Sequence, residues 1–166
     1  INKEAEEGKY QLLVMGTHGA KGLQKLMGSH AIKVISSSPT PFYVTQEKGP
    51  SKKIERIVLA LDLSKERVQV VRFSAELAKT FGAEIHIVCK PETDEWLAKK
   101  LRNNILSSKG YLDKFGVKYE VHMLDGKQSF QKEVQKYGTS VNADLYAITH
   151  FTETIMPQFE KFSQDM

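Results

Sequence analysis

The stretch that decides the fold is Gly16-Thr17-His18-Gly19-Ala20-Lys21-Gly22-Leu23-Gln24-Lys25-Leu26-Met27-Gly28-Ser29. An apolar run, Leu12-Leu13-Val14-Met15, leads into it, and an amphipathic run, His30 to Ile35, leads out. The order reads strand, glycine loop, helix. Glycines let a backbone approach a ligand closely, because no Cβ stands in the way. The helix that follows offers unpaired N–H groups and the positive end of its dipole, and Ser29 suits its N-cap. Together these parts form a cradle for a phosphate. A glycine-rich turn followed by a capped helix has the same spacing without a ligand, so the stretch alone leaves both readings open.

Upstream, Ile1 to Tyr10 is polar and Glu-rich and reads as the end of a helix stopped at Gly8. Downstream, Pro39 forbids continuation of the helix, and Phe42-Tyr43-Val44-Thr45 reads as a strand. Glu47-Lys48-Gly49-Pro50-Ser51-Lys52-Lys53 is a charged linker without an apolar anchor. The pattern then restarts. Ile57 to Leu61 is a buried strand ending at Asp62, and a helix follows with Val70, Phe73, Leu77 and Phe81 on its apolar side. Ala83 to Cys89 is a strand. A long helix from about Thr93 to Phe115 is expected to bury Trp96, Leu97, Leu101, Ile105, Leu112 and Phe115. Val117 to Leu124 alternates apolar and polar residues, as an edge strand does. Phe130, Val134 and Tyr137 mark a further helix expected to stop at Gly138, and Asp144 to Ile148 is the last strand. Alternating strands and helices imply a parallel α/β sheet with right-handed crossovers.

Val14-Met15-Gly16-Thr17-His18-Gly19, then Gly28-Ser29, then Pro39-Thr40-Pro41-Phe42-Tyr43-Val44, resembles the end of a universal stress protein domain. That family carries Gly-x-x-Gly, nine residues, Gly-Ser or Gly-Thr, a helix, and a last strand introduced by proline. Here eight residues, Ala20 to Met27, separate Gly19 from Gly28. A weaker internal likeness relates Tyr10–His18 to Ala143–His150 and Leu26–His30 to Lys161–Gln164. The resemblance implies residues 1–46 as the back half of a first unit, 47–53 as a linker, and 54–166 as a second, degenerate unit without its last strand. Its fold is an open parallel five-stranded sheet with helices on both faces, of the adenine nucleotide α-hydrolase type. The sequence begins at Ile1, which fits a piece of a longer tandem protein, and the open sheet edges are expected to be covered by other chain.

The resemblance further implies ATP, with magnesium, held by Gly16, Thr17, His18, Gly19, Gly28, Ser29 and His30, and an aspartate, matched by Asp62, near the ribose. Asp62 can equally cap the helix that follows it, together with Ser64. A site joining Gly19 to Asp62 would require the Leu12 strand to lie beside the Ile57 strand. In the second unit Lys90 stands where the family places a small apolar residue against adenine, and Thr149, Thr152 and Phe162 replace loop glycines. Both changes disfavour a nucleotide there. The alternative is a dimerisation or scaffold module that binds no nucleotide, pairing as a homodimer or between domains through Phe42, Tyr43 and Val44.

Composition bounds the rest. Of the 166 residues 40% are hydrophobic and 27% charged, which is the balance of a globular protein. Net charge is +4 and the pI near 9.0. The lysines are scattered without aromatic interleaving, so no nucleic-acid partner is expected. No apolar run reaches membrane-span length, and no signal peptide opens the sequence, so no membrane partner is expected. The single cysteine, Cys89, precludes an intramolecular disulfide, fits a reducing cytoplasm, and reads as a buried strand residue. His86 and His122 read as structural, and Lys21 and Lys25 as solvated loop lysines able to screen phosphate charge. His18 and His30 lack companion ligands at zinc spacing. No nucleophile–base pair or carboxylate dyad has a convincing spacing, and no Gly-Lys-Ser or Gly-Lys-Thr completes a P-loop. The resemblance implies a cytoplasmic stress-response and signalling module rather than a dedicated enzyme, with weak ATP hydrolysis or nucleotidyl transfer on the same fold as the enzymatic alternatives.

Overall fold

The computed structural model describes residues 1–17, 34, 35, 37, 38, 40–46, 53–64 and 67–149. The chain divides into two compact units, with a second unit running from Lys52 to Thr149. The first contains helix α1 (Asn2–Glu7), strand β1 (Leu13–Thr17) and strand β2 (Phe42–Gln46). β1 and β2 pair in parallel from Leu13↔Phe42 to Thr17↔Gln46, and the Leu13 N–H donates to the Pro41 carbonyl at 2.9 Å to open the ladder. A parallel pair sets both carboxyl ends at one edge of the sheet, so Gly16 and Thr17, the last residues of β1, lie beside Thr45 and Gln46 at the end of β2.

The second unit runs β3 (Arg56–Leu61), α2 (Arg67–Phe81), β4 (Glu84–Cys89), α3 (Glu95–Phe115), β5 (Tyr119–Met123), α4 (Phe130–Ser140) and β6 (Leu145–Ala147). All its strands pair in parallel, in the order β5-β4-β3-β6. The two central strands read Ile-Val-Leu-Ala-Leu and Ile-His-Ile-Val-Cys, runs buried on both faces as a parallel sheet demands. The expected five-stranded sheet is instead, among the described residues, a parallel pair in one unit and a four-stranded parallel sheet in the other. β3 has β4 on one side and β6 on the other in the ladder of the second unit.

One face of this sheet, through Ile57, Leu59, Leu61, Ile85, Ile87 and Cys89, packs on α2 and α3. The α2 contact differs from the expected stripe. Val71, Ser74, Ala75 and Ala78 are buried, Val70 and Leu77 pack at the rim, and Phe81 is exposed. Small residues at the centre let the helix axis sit close to the sheet. Trp96, expected inside, is 68% exposed, because the buried line of α3 runs through Leu101, Asn104, Ser108 and Leu112. Asp94 caps α3 by accepting from the Leu97 N–H at 2.9 Å, and Gly116 ends it in the left-handed region at φ 65°, which favours glycine.

β5 is the edge strand that its alternation predicts, with Val121 and Met123 left exposed. Gly138 does not stop its helix. α4 continues to Ser140, and a Cβ at Gly138 would overlap the ring of Tyr146 on β6. The glycine is there for close approach. At the amino end of the sheet the Asp144 carboxylate accepts from the Glu55 and Arg56 N–H groups at 2.9 and 3.0 Å, fixing the register of β6 on β3.

Candidate functional site

In an open α/β sheet, ligands bind beyond the carboxyl ends of the strands. The first unit brings Gly16 and Thr17 to that position at the end of β1. Gly16 is exposed, and a Cβ built on it would meet nothing within 4 Å among the described residues. His18, Gly19, Gly28, Ser29 and His30 lie outside the described residues.

The second unit places Asp62, Lys90 and Thr149 just beyond β3, β4 and β6. One Asp62 carboxylate oxygen, Oδ1, accepts from the Ser64 N–H at 2.9 Å, an Asx turn in the loop that follows β3. The Asp62 carbonyl accepts from Nδ2 of Asn104 at 3.2 Å, which gives that buried amide on α3 a partner. Thr149 Oγ1 is buried and has no hydrogen-bond partner among the described residues. Lys90 is exposed. The end of this sheet thus carries a carboxylate engaged with its own loop and an exposed lysine.

The opposite face of the sheet holds a polar cluster that pattern reading passed over. His86 is buried; its Nδ1 shares a hydrogen bond with the Tyr137 hydroxyl at 2.9 Å, and its Nε2 lies 3.3 Å from Glu84 Oε1. Arg56 Nε donates to the same Glu84 oxygen at 3.2 Å. The His122 ring stacks on Tyr137 with centroids 4.3 Å apart. Burial, with the Glu120 and Glu84 charges nearby, raises the Tyr137 phenol above its usual range. The phenol therefore stays protonated and ties α4 to β4. The spacing of Glu84, His86 and His122 along their strands puts them on one face, but only the tertiary fold supplies Tyr137.

Beside this cluster a cleft of about 460 Å³ is lined by His122, Leu124, Gln128, Glu133, Tyr137 and Ser140, among others. Of its two acids, Asp125 and Glu133, the second accepts from the Gln128 N–H at 2.8 Å and the Gly126 N–H at 3.0 Å, closing the β5–α4 loop. Those hydrogen bonds, that from Gln128 first, lower its pKa against the opposing effect of desolvation. Cys89 is fully buried, and burial pushes its thiol up to about 12, so it carries no nucleophile at neutral pH. Among the described residues no helix is long and apolar enough to cross a membrane.

Residues 1–46 match the family model described as the universal stress protein family. No curated protein matches the chain significantly in sequence. Among solved structures, a universal stress protein from Archaeoglobus fulgidus is 25% identical with a TM-score of 0.50, covering 57% of this chain and 74% of its own. A second, from Archaeoglobus fulgidus DSM 4304, is 19% identical with a TM-score of 0.68; the likeness covers 98% of this chain and 59% of that one. A universal stress protein solved in complex with cAMP is 13% identical with a TM-score of 0.53, over 68% of this chain and 88% of its own. Residues 1–46 are thus similar in sequence to the universal stress protein family, and the α/β fold of the chain is similar to that of its solved members.

Proposed function

We propose that this chain is part of a tandem universal stress protein that binds an adenine nucleotide through the glycine loop of its first unit. The observation that carries the reading is the position of the family match: residues 1–46 include the whole Gly16-x-x-Gly19, Gly28-Ser29 pattern. The exposure of Gly16 near the end of β1 agrees with it. So does the existence of a similarly folded family protein in complex with cAMP. In this reading the loop N–H groups and the Ser29 hydroxyl hold phosphate oxygens, and His18 and His30 flank them. Magnesium, if ATP is the ligand, would bridge phosphate oxygens rather than sit in a cage of side chains. The second unit serves as a scaffold, with Asp62 engaged in its own loop and Lys90 at the strand end.

Calorimetric titration of the protein with ATP, AMP and cAMP tests this. At a hundredfold excess over Kd, binding to the native state alone adds about 2.7 kcal/mol. For a unit of this size that raises the melting temperature by roughly 10 °C or more. Gly19→Val and Gly28→Val should remove the heat by blocking backbone approach. Absence of both heat and thermal protection in the unaltered protein would overturn the reading and leave the dimerisation scaffold, in which β2 pairs with another unit.

A further inference from the structure

The outward face of α3 carries an unusual combination. Trp96, Lys99, Asn103, Leu106 and Gly110 recur at spacings of three and four and are all exposed, so they form one continuous line on the helix. Trp96 is 68% and Leu106 64% exposed. They lie ten residues apart, about 15 Å along the axis. Between Glu95 and Asp113 the helix carries Lys99, Lys100, Arg102 and Lys109 and no acid. Among the described residues none of these four cations is in an ion pair. Lys100 Nζ instead lies over the Trp96 ring, 5.6 Å from its centroid, and Lys109 Nζ over Tyr119 at 5.9 Å.

Large exposed aromatic side chains on a rigid element are what interfaces are built around. The Lys100 contact restricts the indole, so less side-chain freedom is lost when a partner covers it. We infer that this face of α3 is a docking surface for an acidic amphipathic helix of another protein. That helix would place apolar side chains over Trp96 and Leu106 and carboxylates against Lys99, Lys100 and Arg102. Charge complementarity selects this occupant. A second copy would bring the same basic face, on a chain of net charge +4, and be repelled. A membrane surface would need a continuous apolar stripe, and α3 has already buried its own, at Leu101 and Leu112. The inference is independent of nucleotide binding, because it concerns only the second unit.

Trp96 is the one tryptophan of the chain, so its emission reports on this face alone. The full chain is titrated with a synthetic tryptophan-free helical peptide of leucine and glutamate, and separately with phosphatidylcholine–phosphatidylserine vesicles. The peptide should shift the emission to the blue and saturate, with affinity falling roughly tenfold or more between about 50 and 250 mM salt. The Lys99→Glu/Arg102→Glu double variant should bind at least about tenfold more weakly with an unchanged far-ultraviolet spectrum. Lys99→Gln/Arg102→Gln repeats the test should charge reversal disturb folding, and Leu106→Ser should weaken binding without altering charge. No shift with the peptide, equal affinity in both charge variants, or a shift with vesicles only would each overturn the inference.

Discussion

Gly138 sits inside α4 at a position where ordinary helix reasoning gives the wrong sign. In a helix interior, alanine is favoured over glycine by about 1 kcal/mol. Here the added methyl would fall on the hydroxyl end of the Tyr146 ring, against which the glycine packs. Tyr146 is half-buried on β6, with its hydroxyl 3.5 Å from the Gln135 carbonyl. To admit the methyl, either the ring leaves its place or α4 lifts from the sheet. Overpacking of this kind costs about 1–3 kcal/mol, and the displaced hydroxyl about 1 kcal/mol more. Set against the helix gain, Gly138→Ala should be destabilising by about 1–3 kcal/mol, or roughly 5–20 °C in melting temperature. Urea unfolding followed by far-ultraviolet circular dichroism measures it. The decisive comparison is made in a Tyr146→Leu background, where the obstructing ring end is gone and the alanine should become neutral or favourable. A Gly138→Ala protein as stable as its parent, or a cost that persists without Tyr146, would refute the packing argument.

Two further predictions concern ionisable groups. Glu133 has a folded-state pKa below its unfolded value, so its contribution is complete above the ordinary glutamate range and is lost as pH falls through the lower, folded value. Glu133→Gln should therefore lower stability near neutrality and narrow the gap to the parent below about pH 4, as thermal melts across that range would record. A constant gap would contradict it. Cys89, fully buried with its thiol pushed up to about 12, should react with a thiol reagent only after unfolding; rapid labelling of the native protein at neutral pH would contradict its burial.

The fold was legible wherever the local pattern and the burial agree. The apolar runs at Ile57–Leu61 and Ala83–Cys89 announce two-face burial, and the alternation at Tyr119–Met123 announces an edge. What was not legible depends on partners remote in sequence. The α2 stripe shifted by one position because close packing on the sheet prefers Val71, Ala75 and Ala78 to the bulkier Phe73 and Phe81. Gly138 resembled a helix stop until Tyr146 was in place beside it. Trp96 resembled core because tryptophan is seldom so exposed. Asp62 directly follows β3, whereas Gly16 and Thr17, read as the start of the loop, are the last residues of β1. That β3 carries β4 and β6 on its two sides came only from the strand order.

The carboxylate of Asp144 reaches back across 88 and 89 residues to hold Arg56 and Glu55. A ribosome releasing this polypeptide delivers the innermost strand of the unit first and one of its two flanking strands last. Until that late segment emerges, one edge of β3 has no backbone to bond, and an apolar ribbon waits beside solvent. Contacts so distant in sequence slow folding and lengthen the interval in which wrong pairing can occur. A cell making this protein would thus depend most on chaperones during synthesis, before β6 reaches β3.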